Sequence, residues 1–157
     1  MSWNDQYQRV LRSLQRLHDR KNKTEEYYTD DIFHFFMDCW HLKDWVKKDN
    51  ELAGFAQKAI VKDAEASEIL QFARALADRS KHFELRKGRK QDARTVGNWH
   101  ISTGDDTRFL DFTVAEVSND GKEGREWEVI DFANQAVKEW GRILTKHGLD
   151  APGTDCG

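Results

Sequence analysis

The chain has 157 residues, enough for one domain with a real hydrophobic core and too few for two comfortable ones. Its residues are 38% hydrophobic and 34% charged, with six Trp and nine Phe, which indicates a polar surface around an aromatic-rich core and excludes a disordered chain. A net charge of -3 gives the chain as a whole no electrostatic basis for wrapping nucleic acid.

The two cysteines, Cys39 and Cys156, are not expected to form a stabilising disulfide, because one lies inside an apolar run and the other in a glycine-containing tail. A reducing cytoplasm is then the natural compartment, and Cys39 is predicted to be inert packing. Residues 1–20 lack the apolar segment of a signal peptide, and Asp38 and His41 interrupt the longest apolar stretch. We therefore expect a soluble cytoplasmic protein with no membrane span.

The first two predicted helices occupy the N-terminal third of the chain. From Trp3 to about Arg20, apolar residues recur at steps of three and four, which predicts an amphipathic helix. The second helix is predicted to begin with Thr29 as its cap, since Asp30 and Asp31 would then lie favourably near its positive end. It is predicted to run to about Lys48.

Two shorter helices are predicted next. The first runs from Glu51 to Lys62, although Gly54 weakens it by about 1 kcal/mol relative to Ala. Its predicted buried face consists of Leu52, Phe55, Ala56, Ala59 and Ile60. Ser67 is predicted to cap the second, which reaches about Phe83.

A change of period after the fourth helix predicts strands. Side chains alternate at 83–86, 96–101 and 109–115, and 125–129 is a candidate third strand. Turn residues at 103–106 and 119–121 would connect the strands. The last helix is predicted from about Asp131 to His147, with Gly148 ending it.

The predicted fold class is therefore α+β and mostly α. Four to five helices form a bundle, and a small antiparallel β-meander at about 83–130 is inserted before the last helix. One domain would cover residues 1–150, and residues 151–157 would form a flexible tail.

The segment Tyr27–Val46 is an almost wholly apolar run that one polar stripe crosses. Asp31, His34, Asp38 and His41 fall on one side of a helix, because steps of three, four and three residues return to the same face. The remaining residues of the run, from Ile32 to Val46, are predicted to be buried in the middle of the bundle. The stripe must therefore find partners or line a cavity.

Three residues of this stripe have the types and spacing of a metal half-site: His34, Asp38 and His41. His82 or Asp78 would complete the site from a second helix. The alternative is a stripe that faces solvent, or imidazoles that bond to carboxylates of neighbouring helices. No HExxH or paired ExxH motif is present, so we expect no cofactor, and a divalent metal is kept as an alternative hypothesis.

A second constellation closes the fourth helix in the segment RALADRSKHF. Arg74, Asp78 and His82 share a face at i, i+4 and i+8, with Arg79 and Lys81 beside them. Neighbouring cations disfavour a protonated imidazole, so His82 could act as a base while an arginine holds a phosphate, which is the logic of metal-independent ribonucleases. The alternative is an ordinary helix end, where the helix dipole favours cations.

The segments FHFFMDCWHLKDWVKKD and ALADRSKHFEL together resemble a group of small uncharacterised bacterial and phage proteins with a tryptophan-rich HLKDW helix and a later SKH segment. This resemblance covers about half of the chain and implies no particular activity.

The helical order also resembles HEPN domains, four-helix bundles that often dimerise and of which many are ribonucleases in toxin–antitoxin and anti-phage systems. The HEPN motif is an Arg, often followed by Asn or another polar residue, with a His four to six residues further on. This chain departs from it, because Arg79 lies three residues before His82 and Arg74 lies eight before it.

The chain contains no GxGxxG, GxxxxGK[ST], GxSxG or CxxC motif. We therefore favour a non-enzymatic binding or regulatory protein of a bacterial or phage system, in defence or counter-defence. The predicted binding residues are Asp38, Trp40, His41, Asp44, Trp45 and Lys81. The alternatives are a HEPN-like ribonuclease or toxin that uses His82 with Arg79 or Arg74, and a metal-binding helical bundle.

The expected partner is a protein. A homodimer through exposed aromatic residues, Trp40 and Trp45 among them, is also predicted, because a small core cannot hold every aromatic side chain of this helix. The basic residues of 79–94 form a local patch that offers a route to nucleic acid, or simply a solvated turn.

Overall fold

The computed structural model describes residues 2–81, 92–101, 108–117 and 123–151. These residues form five helices and a three-stranded antiparallel sheet that precedes the last helix. The helices are α1 (Trp3–His18), α2 (Glu25–Lys48), α3 (Gly54–Ala66), α4 (Glu68–Lys81) and α5 (Val129–Lys146), and the strands are β1 (Asp92–Ile101), β2 (Arg108–Val117) and β3 (Glu123–Glu128). This order confirms the predicted mostly-α fold class with an inserted meander.

Helix α1 begins with a reciprocal cap. The Ser2 hydroxyl accepts a hydrogen bond from the Asp5 amide at 3.3 Å, and the Asp5 carboxylate accepts one from the Ser2 amide at 2.7 Å. The bond from the Ser2 backbone lowers the pKa of Asp5. Tyr7, Val10 and Leu17 are fully buried on one face, which confirms the amphipathic helix.

Helix α2 begins earlier than predicted, because Thr24 is its cap. The Thr24 hydroxyl accepts a hydrogen bond from the Tyr27 amide at 3.3 Å, whereas Thr29 lies inside the helix. The prediction for Thr29 was therefore wrong. Its electrostatic argument applies one turn earlier, where Glu25 and Glu26 occupy the positive end of the helix.

Helix α2 is the central element and packs against α1, α3, α4 and α5. Its fully buried residues are Tyr28, Ile32, Phe35, Phe36, Cys39, Leu42 and Val46. The expectation that the whole apolar run would be buried was wrong for four of its residues, which are only half-buried: Phe33, Met37, Trp40 and Trp45. The neighbouring helices cover one broad face of α2 and leave the opposite face to solvent.

Helix α3 packs through Ile60 and Ala64, one turn apart and fully buried. Phe55 was predicted to be buried, yet it is 81% exposed. The reason is geometric, because Phe55 precedes Ile60 by five residues and so points roughly 140° away around the helix. Ser67 then accepts a hydrogen bond from the Leu70 amide at 3.3 Å, which confirms the predicted cap of α4.

The sheet has the strand order β1-β2-β3. Val96 pairs with Thr113, and Thr113 pairs with Glu128 on its other side. Phe112 is buried, and its ring centroid lies 5.2 Å from that of Tyr28, so β2 is anchored to α2. The predicted turns at 103–106 and 119–121 and the alternating segment 83–86 lie outside the described residues.

Helix α5 closes the core through aromatic contacts. The ring of Phe132 lies 4.8 Å from that of Phe72 and 5.3 Å from that of Trp127, and Trp140 donates a hydrogen bond from Nε1 to the Cys39 carbonyl at 2.9 Å. No helix in the described part of the chain has the length and apolar character needed to cross a bilayer.

The chain leaves α5 through Gly148, whose φ of 78° is the left-handed conformation that glycine adopts easily. Leu149 donates its amide to the Leu144 carbonyl at 3.0 Å, so Gly148 ends the helix as predicted. Ala151 was predicted to begin a flexible tail but is buried, and the rest of that segment lies outside the described residues.

Candidate recognition surface on helices α2 and α4

The two carboxylates of the predicted polar stripe are engaged with α1 and the loop after it. Asp31 accepts a hydrogen bond from Lys23 Nζ at 2.8 Å and lies 3.9 Å from Arg16 Nε. Asp38 accepts a hydrogen bond from the Ser13 hydroxyl at 2.6 Å, and Arg16 donates to the same hydroxyl at 2.7 Å. These carboxylates therefore hold α2 to the N-terminal helix.

The imidazoles of the stripe lie further around α2. His34 is exposed and His41 is half-buried. No group of three or more His, Cys, Asp or Glu side chains that could hold a metal ion exists within the described residues. The prediction that His34, Asp38 and His41 converge on one ion was therefore wrong, because the Ser13 contact turns Asp38 toward α1. His82, one proposed fourth ligand, lies outside the described residues.

Trp40 lies where α2 meets α4, and two cations flank its ring. Lys43 Nζ lies 4.8 Å and Arg74 Cζ 5.9 Å from the ring centroid, within the range of cation–π attraction. Lys43 also donates a hydrogen bond to Asp44 at 2.9 Å. We call Trp40, Lys43, Asp44 and Arg74 the Trp40 patch.

The helices position the Trp40 patch. Trp40 and Lys43 are three residues apart on α2, so their side chains lie over one another on the same face. Arg74 arrives from α4, one of the helices packed most extensively against α2. The patch combines a half-buried aromatic ring, two cations and one carboxylate on two packed helices.

The other predicted residues of the fourth helix have different outcomes. Asp78 is half-buried and lies one turn after Arg74 on α4. Arg79 and Lys81 belong to the last turn of α4, and His82 lies outside the described residues. The side chains of Arg79 and His82, the predicted phosphate ligand and general base, therefore lie outside the described part of the structure. The ribonuclease hypothesis stays a prediction.

Trp45 does not belong to the Trp40 patch. Its ring faces α1, where Arg9 Cζ lies 5.5 Å from the ring centroid. Trp40 and Trp45 therefore lie on different sides of α2. Lys43 was missed in the sequence analysis, although its position three residues after Trp40 was a sufficient signal.

Asp49 was also missed as a tertiary contact. This buried residue follows the last turn of α2, and its carboxylate accepts hydrogen bonds from the amides of Trp3 at 2.8 Å and Glu51 at 3.0 Å. It borders a polar cavity of about 480 Å³ near the start of α1. Its hydrogen bonds are made within the chain, so we assign it a structural role.

Comparison with known protein families, curated proteins and solved structures finds no match to this chain. The fold defines a mostly-α bundle with an inserted antiparallel meander, and the function must be argued from the arrangement of its side chains.

Proposed function

We propose that this chain is a non-enzymatic binding and regulatory protein of a bacterial or phage system, and that the Trp40 patch contacts a protein partner. The observation that supports the proposal is the Trp40 ring, half-buried between α2 and α4 with Lys43 and Arg74 flanking it.

The residue types of the Trp40 patch favour protein recognition. Tryptophan and arginine are enriched among the few interface residues that carry most of the binding free energy. A half-buried ring offers a partner a large apolar contact while its inner edge stays packed against the core. Trp40 can therefore anchor a partner without first leaving the core.

The patch is also ordered before a partner arrives. Its side chains stand on two packed helices, and Lys43 is held both by the Trp40 ring and by Asp44. Side chains that are already ordered lose less conformational entropy on binding. Lys43, Asp44 and Arg74 surround the Trp40 ring with charges of both signs, which favours a partner segment that covers Trp40 with an apolar side chain and presents complementary charges around it.

The test is affinity capture followed by calorimetry. The tagged chain is used to capture proteins from bacterial lysates, with and without phage infection, in parallel with Trp40→Ala and Lys43→Glu. Phe55→Ala is the matched control, because it removes an exposed aromatic side chain from α3. A protein retained by the wild type and the control should be lost from both patch variants.

Calorimetry with the purified partner then measures the contribution of Trp40. Truncation of an interface anchor costs about 2 kcal/mol or more of binding free energy, so Trp40→Ala should raise the dissociation constant by about 30-fold. Equal binding by the wild type and both patch variants would exclude this surface. RNA cleavage by the purified chain that disappears in a folded His82→Ala variant would replace the proposal with the ribonuclease hypothesis.

A further inference from the structure

The solvent-facing side of α2 carries a second regular stripe, distinct from the residues that hold α1. Its members, which we call the outer stripe, are Asp30, His34, Met37, His41, Asp44 and Lys48. Asp30, His34 and Lys48 are exposed, and the other three are half-buried.

The spacing of the outer stripe keeps its six members along one line on the surface of α2. Successive members are separated by four, three, four, three and four residues, the alternation that keeps side chains along one line facing a partner helix. Within the described residues, Asp30, His34 and Lys48 take part in no hydrogen bond or ion pair. These charged and titratable groups are therefore available at the surface.

The outer stripe is complementary to the outer stripe of a second copy that runs in the opposite direction. If a second copy of α2 is laid antiparallel with the two-fold axis at the level of Cys39, Asp30 faces Lys48 and His34 faces Asp44. Met37 then faces His41 across the centre. The two-fold symmetry makes each of these pairs occur twice.

Other alignments lose this complementarity. A parallel pair would place Asp30 on Asp30 and Lys48 on Lys48, so that like charges face each other. An antiparallel shift of seven residues brings Asp30 opposite His41 and leaves Lys48 beyond the stripe. The centred antiparallel register uses all six positions of the stripe.

From this complementarity we infer that two copies of the chain associate through the outer stripes of α2 in antiparallel orientation. Asp44 belongs to both the outer stripe and the Trp40 patch, whereas the Trp40 ring and Arg74 lie beside this interface, because Arg74 approaches the ring from α4. The inference does not depend on the proposed function, since it concerns the self-association of the purified chain.

Charge reversal tests the register directly. Asp30→Lys sets Lys against Lys48 at both ends of the seam, and Lys48→Asp sets Asp against Asp30. Each single variant should weaken the dimer by about tenfold or more at low ionic strength, measured by sedimentation equilibrium. Lys58→Asp, an exposed charge reversal on α3, is the control and should leave the dimer unchanged.

The two weakened variants should restore one another. A mixture of Asp30→Lys and Lys48→Asp sets opposite charges at both ends and should form a heterodimer, and the double variant should regain the homodimer. Circular dichroism of each variant verifies that its fold is intact. A wild type that stays monomeric at high micromolar concentration, or a dimer that both single variants leave unchanged, would overturn the inference.

Discussion

Replacement of Asp49 by alanine should strongly destabilise the fold, because this residue connects the ends of two helices. Asp49 is 5% exposed, and its carboxylate joins the start of α1 to the end of α2. Trp3 occupies the first turn of α1, where backbone amides have no acceptor within the helix. Asp49→Ala leaves this amide and that of Glu51 without their present acceptor.

The magnitude follows from these two hydrogen bonds. A hydrogen bond to a charged group contributes about 1.5–3 kcal/mol. The polar cavity beside Asp49 lets water replace part of the loss, so the lower end of this range applies to each bond. We expect Asp49→Ala to lower the free energy of unfolding by about 3 kcal/mol. Asp49→Asn keeps one acceptor oxygen and should lose about half as much.

Urea denaturation followed by circular dichroism measures the free energy of unfolding of each variant. Glu51→Ala is the matched control, because its side chain is exposed and its amide still reaches Asp49. The control should remain within about 0.5 kcal/mol of the wild type. If Asp49→Ala unfolds at the same urea concentration as the control, the carboxylate does not hold the two helices together.

Three further predictions concern α5 and its contacts. Trp140→Phe removes the hydrogen bond from Nε1 to the Cys39 carbonyl and some buried volume, so it should lower the free energy of unfolding by about 2 kcal/mol in urea denaturation. The pKa of Asp63 is lowered, chiefly by the hydrogen bond from His147. The ionised Asp63 therefore stabilises the folded state fully above its ordinary pKa of 3.8, and this contribution is lost as the pH falls below that value. The stability difference between wild type and Asp63→Asn should therefore shrink in acid titrations, and a constant difference would contradict this. Burial raises the pKa of Cys39 to about 12, so in a Cys156→Ser background iodoacetamide should react only after unfolding, as mass spectrometry will show.

Helices α1 and α5 could be predicted from sequence because each has a distinct buried face. The apolar spacing of α1 and α5 sufficed for both. The start of α2 could not be decided in this way, since Thr24 and Thr29 are both residues that cap helices well, and only the structure shows that Thr24 takes this position. The predicted burial of Phe55 was wrong for a related reason, because a short helix with several apolar residues can turn any of them toward its neighbours.

The Trp40 patch was only partly predictable. Trp40 and Arg74 were identified as functional residues for separate reasons, one as a binding residue and one as a phosphate ligand. Their proximity depends on how α2 and α4 pack, which no local pattern encodes. Lys43 is different, because its position three residues after Trp40 on the same helix is readable from the sequence alone.

The polar stripe of α2 shows why residues that share a helical face need not share a role. Asp31 and Asp38 are seven residues apart and contact α1, whereas His34 lies roughly 60° further around the helix, beyond the reach of that contact. A neighbouring helix can thus divide a single stripe into a structural edge and a solvent-facing edge. The position of this division depends on tertiary packing. His34 and His41 fall on the solvent-facing edge, where they join the outer stripe. The charge-reversal variants at Asp30 and Lys48 therefore test whether that edge contacts a second copy of the chain.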